Sequence, residues 1–278
     1  MRPTSLHRPQ HLPLPAPRPS APPARRWSDL TVLAVWAHPD DESFVAGGLL
    51  AAAARRGARV RCLYLTHGDG GQCAHGPVSR AELAALRAEE LVAAHRHLGV
   101  TERRLLHHPD GRLVELPSDA PIDTICGELA AVDPDLVVTF GPDGFTGHPD
   151  HRTVNRWVHA ALARHDGTPA LWEAAVTAAW AERFAPPLAE FEAFWPGYPR
   201  PTPAARLVSR SLRAADLDAK VSALRAHASQ MTPLFDAFGE DFMRSLAATE
   251  AFMPVPRLAA AAAPRVRQSV ATGSSPKR

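Results

Sequence analysis

Two short apolar runs each end abruptly in a cluster of histidine and aspartate, and this pattern limits the fold more than any other feature. Leu30-Thr31-Val32-Leu33-Ala34-Val35-Trp36 runs into Ala37-His38-Pro39-Asp40-Asp41-Glu42, and Leu136-Val137-Val138-Thr139-Phe140 is followed by Gly147-His148-Pro149-Asp150-His151. Continuous apolar runs of this length read as strands buried on both faces, the mark of a parallel sheet. Ligands of open α/β sheets gather beyond the carboxyl ends of such strands. Two clusters at two strand ends can therefore meet in space and form a hydrolytic metal site.

The intervening sequence keeps strands and helices alternating. A helix is predicted over residues 43–56 with Gly57 as its stop, then a strand over 59–65 and the Gly-rich loop 66–71. Ser79 can cap a helix running to Leu98, with Gly99 in the terminating position. A weaker strand at 103–107, helices at 119–132 and 150–164 and a strand at 174–180 complete the pattern. The order predicts an α/β fold, a mostly parallel sheet wound with helices on both faces. A smaller, less regular C-terminal part should follow. In it, residues 182–203, with Phe184, Phe191, Phe194, Trp195, Tyr198 and six prolines, read as an ordered loop near the site. A strand at 206–212, an amphipathic helix at 214–229 and a last ordered piece at 234–253 are expected beyond it. There is no internal repeat.

The ends differ from the middle. Residues 1–27 hold eight prolines, five arginines and no acid, and residues 257–278 hold five cations and no acid. Both read as disordered tails around a single domain spanning 28–256. Without them the chain keeps 21 cationic against 29 acidic side chains, a net charge of about −8, which argues against nucleic acid as a partner. Cys62, Cys73 and Cys126 are odd in number and lack paired metal spacing, as expected of free thiols in the cytoplasm. No segment reaches membrane-spanning length, and residues 1–27 lack the apolar stretch of a secretory signal. A homo-oligomer is compatible with this composition.

A catalytic zinc ion usually takes three protein ligands and leaves one position for water. His38, Asp41 and His151 supply two imidazoles and a carboxylate for it. Asp40, left over beside the metal, is the candidate general base. His148 is expected across the site, charged, to stabilise an oxyanion or protonate a leaving nitrogen, with Asp150 orienting it. Each residue also has a plainer role. Asp40, Asp41 and Asp150 could cap the helices that follow them, and His38 could be an ordinary buried, hydrogen-bonded histidine. The conjunction of two dense clusters, each directly after an apolar strand, favours the metal.

The paired motifs Ala37-His38-Pro39-Asp40-Asp41-Glu42 and Gly147-His148-Pro149-Asp150-His151 resemble the signature of the PIG-L/LmbE-like superfamily of metal-dependent N-acetylglucosamine deacetylases. Thr66 to Gly71, Arg87-Ala88-Glu89-Glu90 with Leu98-Gly99-Val100, and Lys220, Ala223, His227, Ser229 and Gln230 extend the resemblance over about residues 30–230. It implies a Rossmann-like fold, Zn2+ (or Fe2+ or another divalent ion) on His38, Asp41 and His151, Asp40 as base, and His148 as acid or oxyanion stabiliser. Arg87 is then a candidate contact to substrate hydroxyls or to an anionic group, or else an ion-pair partner of Glu90 or Glu115. The implied substrate is a small sugar or glycoconjugate, such as N-acetylglucosaminyl inositol, a mycothiol-type conjugate amide or a glycopeptide antibiotic. The aromatic stretch departs from compact family members and is expected to shape the acceptor side. Two readings of other classes remain. His38-x-Asp40 plus a distant histidine also spells the facial triad of iron oxygenases, commonly found in all-β barrels. A sugar- or lipid-binding module could also have kept the fold without the chemistry.

Overall fold

The computed structural model describes residues 26–256. Most of both expected tails therefore lies outside the described residues. Trp27, assigned to the first of them, belongs to the fold: it forms a short 3-10 turn, and the Arg56 guanidinium sits 5.1 Å over its ring.

Five parallel strands form the left and centre of one seven-stranded sheet: β1 (Thr31–Trp36), β2 (Arg59–Thr66), β3 (Glu102–His108), β4 (Leu136–Phe140) and β5 (Ala170–Ala175). The sheet closes with β6 (Val208–Ser211) and β7 (Thr249–Val255), in the order β3-β2-β1-β4-β5-β7-β6, with β7 antiparallel to both its neighbours. β1 and β4 are buried along nearly their whole length, which explains their unbroken apolar sequences.

The helices are α1 (Asp41–Arg55), α2 (Arg80–Leu98), α3 (Asp119–Val132), α4 (Pro149–Arg164), α5 (Ala178–Ala189), α6 (Ala214–Ala226) and α7 (Ala228–Ala247). From β1 the chain moves outward one way through α1 and α2, and from β4 the other way through α4. Right-handed crossovers then put the two sets on opposite faces. α1, α2 and α6 pack together on one side, α3 and α4 on the other. The α2 capping box is present, with Ser79 accepting from the Glu82 N–H and Gly99 ending the helix at φ 72°.

The C-terminal part is more regular than expected. The strand predicted at 174–180 is instead β5 at Ala170–Ala175, and α5 occupies the start of the stretch read as a loop. Thr177 caps α5, and Trp180, Phe184 and Leu188 recur every four residues and are buried. That periodicity outweighs Pro186 and Pro187 near the helix end. α7 is broken at Gly239 (φ 74°, ψ 169°), and β7 returns to the sheet beside β5. From β7, the buried Glu250 accepts the Gly48 and Leu49 N–H groups in the middle of α1 (2.7 and 2.8 Å) and pairs with Lys220 of α6 at 2.8 Å. No helix among the described residues is long and apolar enough to cross a membrane.

Candidate active site

β1 and β4 are neighbours in the sheet, and chain direction diverges between them, so a crevice opens beyond their carboxyl ends. Both His/Asp clusters lie there. His38 follows β1, Asp41 begins α1, and Pro149, first in α4, places His151 in its opening turn. His151 Nε2 is 3.3 Å from His38 Nδ1 and 3.2 Å from Asp41 Oδ1, while Asp41 Oδ2 is 3.6 Å from His38 Nδ1. The two Asp41 contacts use different carboxylate oxygens, so the three side chains converge on one space, and His38 with His148 and His151, or with Asp110 and Asp150, also brings donor atoms within 4.8 Å of one another.

The far side of each ring is also fixed. His151 Nδ1 donates to the Gly144 carbonyl at 3.0 Å, which leaves Nε2 as the lone-pair nitrogen, and the ring stacks on Phe140 at 4.0 Å. His38 Nε2 points to Asp110 (2.9 Å) and Asp150 (3.4 Å), which leaves Nδ1 for the triangle. Asp41 accepts the His38 N–H at 2.7 Å. Burial works against charge on His38, yet hydrogen bonds to Asp110 and Asp150 and the charge of Asp41 raise its pKa to about 10. Burial likewise opposes the Asp41 carboxylate, but His151 and His38 hold it down at about 2. This pocket of carboxylates calls for positive charge, and a divalent cation on two imidazoles and one carboxylate fits the donors present.

Asp40 lies beside the triangle with φ 112°, an unusual conformation for a residue with a side chain. Its N–H donates to Glu42 Oε2 at 3.0 Å, and its carboxylate accepts from Arg87 at 2.9 Å. Burial raises the Asp40 pKa to about 6, with Arg87 pulling against it and Asp41 reinforcing it. Glu42 is itself held by Ser43 Oγ (2.6 Å) and by His227 (2.8 Å), and neither Glu42 nor His227 touches solvent.

Three placements differ from expectation. Arg87, only 4% exposed, faces neither Glu90, which accepts from Ser229, nor Glu115, which pairs with Arg112. It donates to the Asp40 carboxylate and to the Pro39 and Gly68 carbonyls, and so braces the candidate base. The Asp150 carboxylate lies on His38 and on the Gly111 and Leu113 N–H groups; only its backbone N–H reaches the ring of His148. His148 is not poised as an imidazolium. Burial first, then the charges of His151 and His38, lowers its pKa to about 4, and Asp150 offsets this only in part. With Nδ1 accepting the Asp150 N–H, the neutral ring carries its proton on Nε2.

Asp110 was not foreseen. It sits in the turn Pro109-Asp110-Gly111 after β3, a sequence that reads as a surface turn, yet its carboxylate binds both His38 and the Gly70 N–H (2.6 Å). The available signal was its position at the end of a third parallel strand. The Gly-rich loop is thereby pinned by Asp110 and Arg87 as a fixed rim. His67 and His107 stack at 4.3 Å, and no metal-sized donor group forms around them among the described residues. Asp40, the carboxylate of the facial-triad reading, is engaged by Arg87 through Oδ2.

Residues 33–162 match the family described as PIG-L, GlcNAc-PI de-N-acetylase. A 1D-myo-inositol 2-acetamido-2-deoxy-alpha-D-glucopyranoside deacetylase of Streptomyces avermitilis is 34% identical over 250 residues, covering 73% of this chain and 83% of that one. The chain spans about half the length, 43–50%, of several other curated relatives it matches. Among solved structures, the zinc-inhibited form of a teicoplanin deacetylase superposes with a TM-score of 0.58 at 22% identity, covering 82% of this chain and 98% of that one. The 4-carboxy-2-hydroxymuconate hydratase of Pseudomonas putida does so with 0.57 at 19%, covering 83% and 98%. These two likenesses speak to the fold alone, since it carries a hydratase as readily as a deacetylase.

Proposed function

The chain belongs to the PIG-L family, and from that premise we propose that it hydrolyses the N-acetyl amide of a glucosamine-containing small molecule. The observation that carries this reading is the triangle of His38, Asp41 and His151 with an unshared carboxylate, Asp40, at its edge. Two imidazoles and one carboxylate suit Zn2+, with Fe2+ as the competing ion. When bound there, such an ion supplies Lewis acidity toward the amide carbonyl and the attacking water.

The chain's own residues supply the proton transfers. Asp40, raised toward neutrality, accepts the proton of the attacking water. His148 donates a hydrogen bond from Nε2 to the oxygen on which charge develops, and Asp40 passes the proton it took from water to the departing nitrogen. Asp110 and Asp150 keep the His38 ring in the orientation that turns Nδ1 inward. The products are acetate and a free amine at the sugar. N-acetylglucosaminyl inositol is the leading substrate, supported by the Streptomyces relative, of which this chain covers 83%. The three free cysteines are consistent with a cytoplasmic reaction.

The test combines metal analysis of the purified protein with acetate release from N-acetylglucosaminyl inositol, a mycothiol-type conjugate and an N-acylated glycopeptide. Zinc bound near one equivalent with acetate from the first is the expected result. A zinc-loaded protein that releases acyl groups from none of the three, yet hydrates an unsaturated dicarboxylate, would replace this reading with that of a hydratase.

A further inference from the structure

Trp195 is 47% exposed, an unusual state for the largest apolar side chain, and it stands at the mouth of the candidate site. Its segment is fastened to the loop that carries His148. The Trp195 backbone N–H donates to the Thr146 carbonyl at 2.9 Å, and the Tyr198 ring lies against Gly147, with the Arg200 guanidinium 4.5 Å from the ring centre. Tyr198 thus accounts for docking the loop, and the Trp195 side chain is left over from that task. Its ring meets the His148 ring edge-on, centroids 5.8 Å apart at 86°, with the remainder facing solvent. The His148 ring is in turn 5.0 Å from that of His38.

We propose that Trp195 is a stacking platform for the ring joined to the N-acetylglucosamine, a cyclitol or an aromatic aglycone. The inference rests on the deacetylase reading and names the part of the substrate that reading leaves open. An acetamide held at the triangle of His38, Asp41 and His151 brings its sugar ring alongside His148, and the next ring outward meets Trp195. Each of these two steps is about one ring wide. Indole offers a flat, rigid face to the C–H face of a saturated ring or to an aromatic ring, at little entropic cost. Only substrates with a second ring gain from it.

The experiment compares wild type, Trp195→Ala and Trp195→Phe on three substrates: N-acetylglucosaminyl inositol, phenyl N-acetylglucosaminide and free N-acetylglucosamine. The expected result is a KM raised about tenfold in Trp195→Ala for the two-ring substrates, with kcat within about twofold. Free N-acetylglucosamine should be handled as by wild type, and Trp195→Phe should recover most of the loss. A role confined to positioning His148 would instead lower kcat alike on all three substrates, and that result overturns the platform, as does an unchanged KM. Wild-type protein inactive on all three would strike the deacetylase reading itself, and the subsite with it.

Discussion

Asp40 combines a strained backbone with a carboxylate poised to take a proton, and its neighbours explain how both persist. The φ of 112° costs about 1–3 kcal/mol by itself and survives because Glu42 holds the Asp40 N–H while Arg87 grips both its carboxylate and the carbonyl before it. Asp40→Asn preserves size and the Arg87 contact but removes the proton acceptor. Turnover should fall by about 10²–10⁴ with bound zinc unchanged, read by steady-state kinetics alongside metal content. Undiminished turnover would dismiss Asp40 as the base. Arg87 has its own signature, since its charge lowers the pKa that burial raises. In Arg87→Gln the acidic limb of the kcat/KM profile should move to higher pH. If Arg87 gripped substrate instead, KM would rise and the limb would stay in place.

Between residues and the whole molecule, the loops after the strands decide the site. Gly147 has φ 84°, and a Cβ there would overlap the Tyr198 ring. Gly147→Ala should therefore destabilise the fold by about 1–3 kcal/mol in chemical denaturation and loosen the segment that carries Trp195; an unmoved midpoint would contradict the packing described. These loops also mark the limit of what the sequence discloses. Strands β1 and β4 and helix α2 are legible because burial on both faces or a cap-and-glycine pair stamps them locally. The clustering of His38, Asp41 and His151 was legible because each motif sits at a strand end. Asp110 was hidden because its partners are remote in sequence, and a Pro-Asp-Gly turn looks the same whether or not a histidine faces it. The Asp40 partner of Arg87 and the His38 partner of Asp150 are hidden for the same reason: sequence shows which groups are charged, and only packing shows which they meet. In α5 the six prolines of the stretch drew attention away from the four-residue spacing of Trp180, Phe184 and Leu188.

At the scale of the molecule, His38 and His151 stand 113 positions apart and meet only when β1 and β4 pair. A cation held between them binds the folded chain and not the unfolded one, so it stabilises the protein by mass action. At a free concentration 1,000 times its Kd the gain is about 4 kcal/mol. Stripping the metal with a chelator should lower the thermal midpoint by several degrees, and added zinc should restore it; a midpoint indifferent to both would mean that these donors hold no ion. Residues 28–256 carry the acidic surplus, while ten cations lie in the two ends. The bond from Glu250 to the middle of α1 has a consequence for how the chain is made. A ribosome completes α1 roughly two hundred residues before it supplies the acceptor for the Gly48 and Leu49 N–H groups. Until that last strand emerges, the helix that begins with Asp41 has its centre bonded only to water or to its own carbonyls. A nascent chain halted earlier displays both histidine-aspartate motifs but lacks the carboxylate that ties the middle of α1 to the sheet.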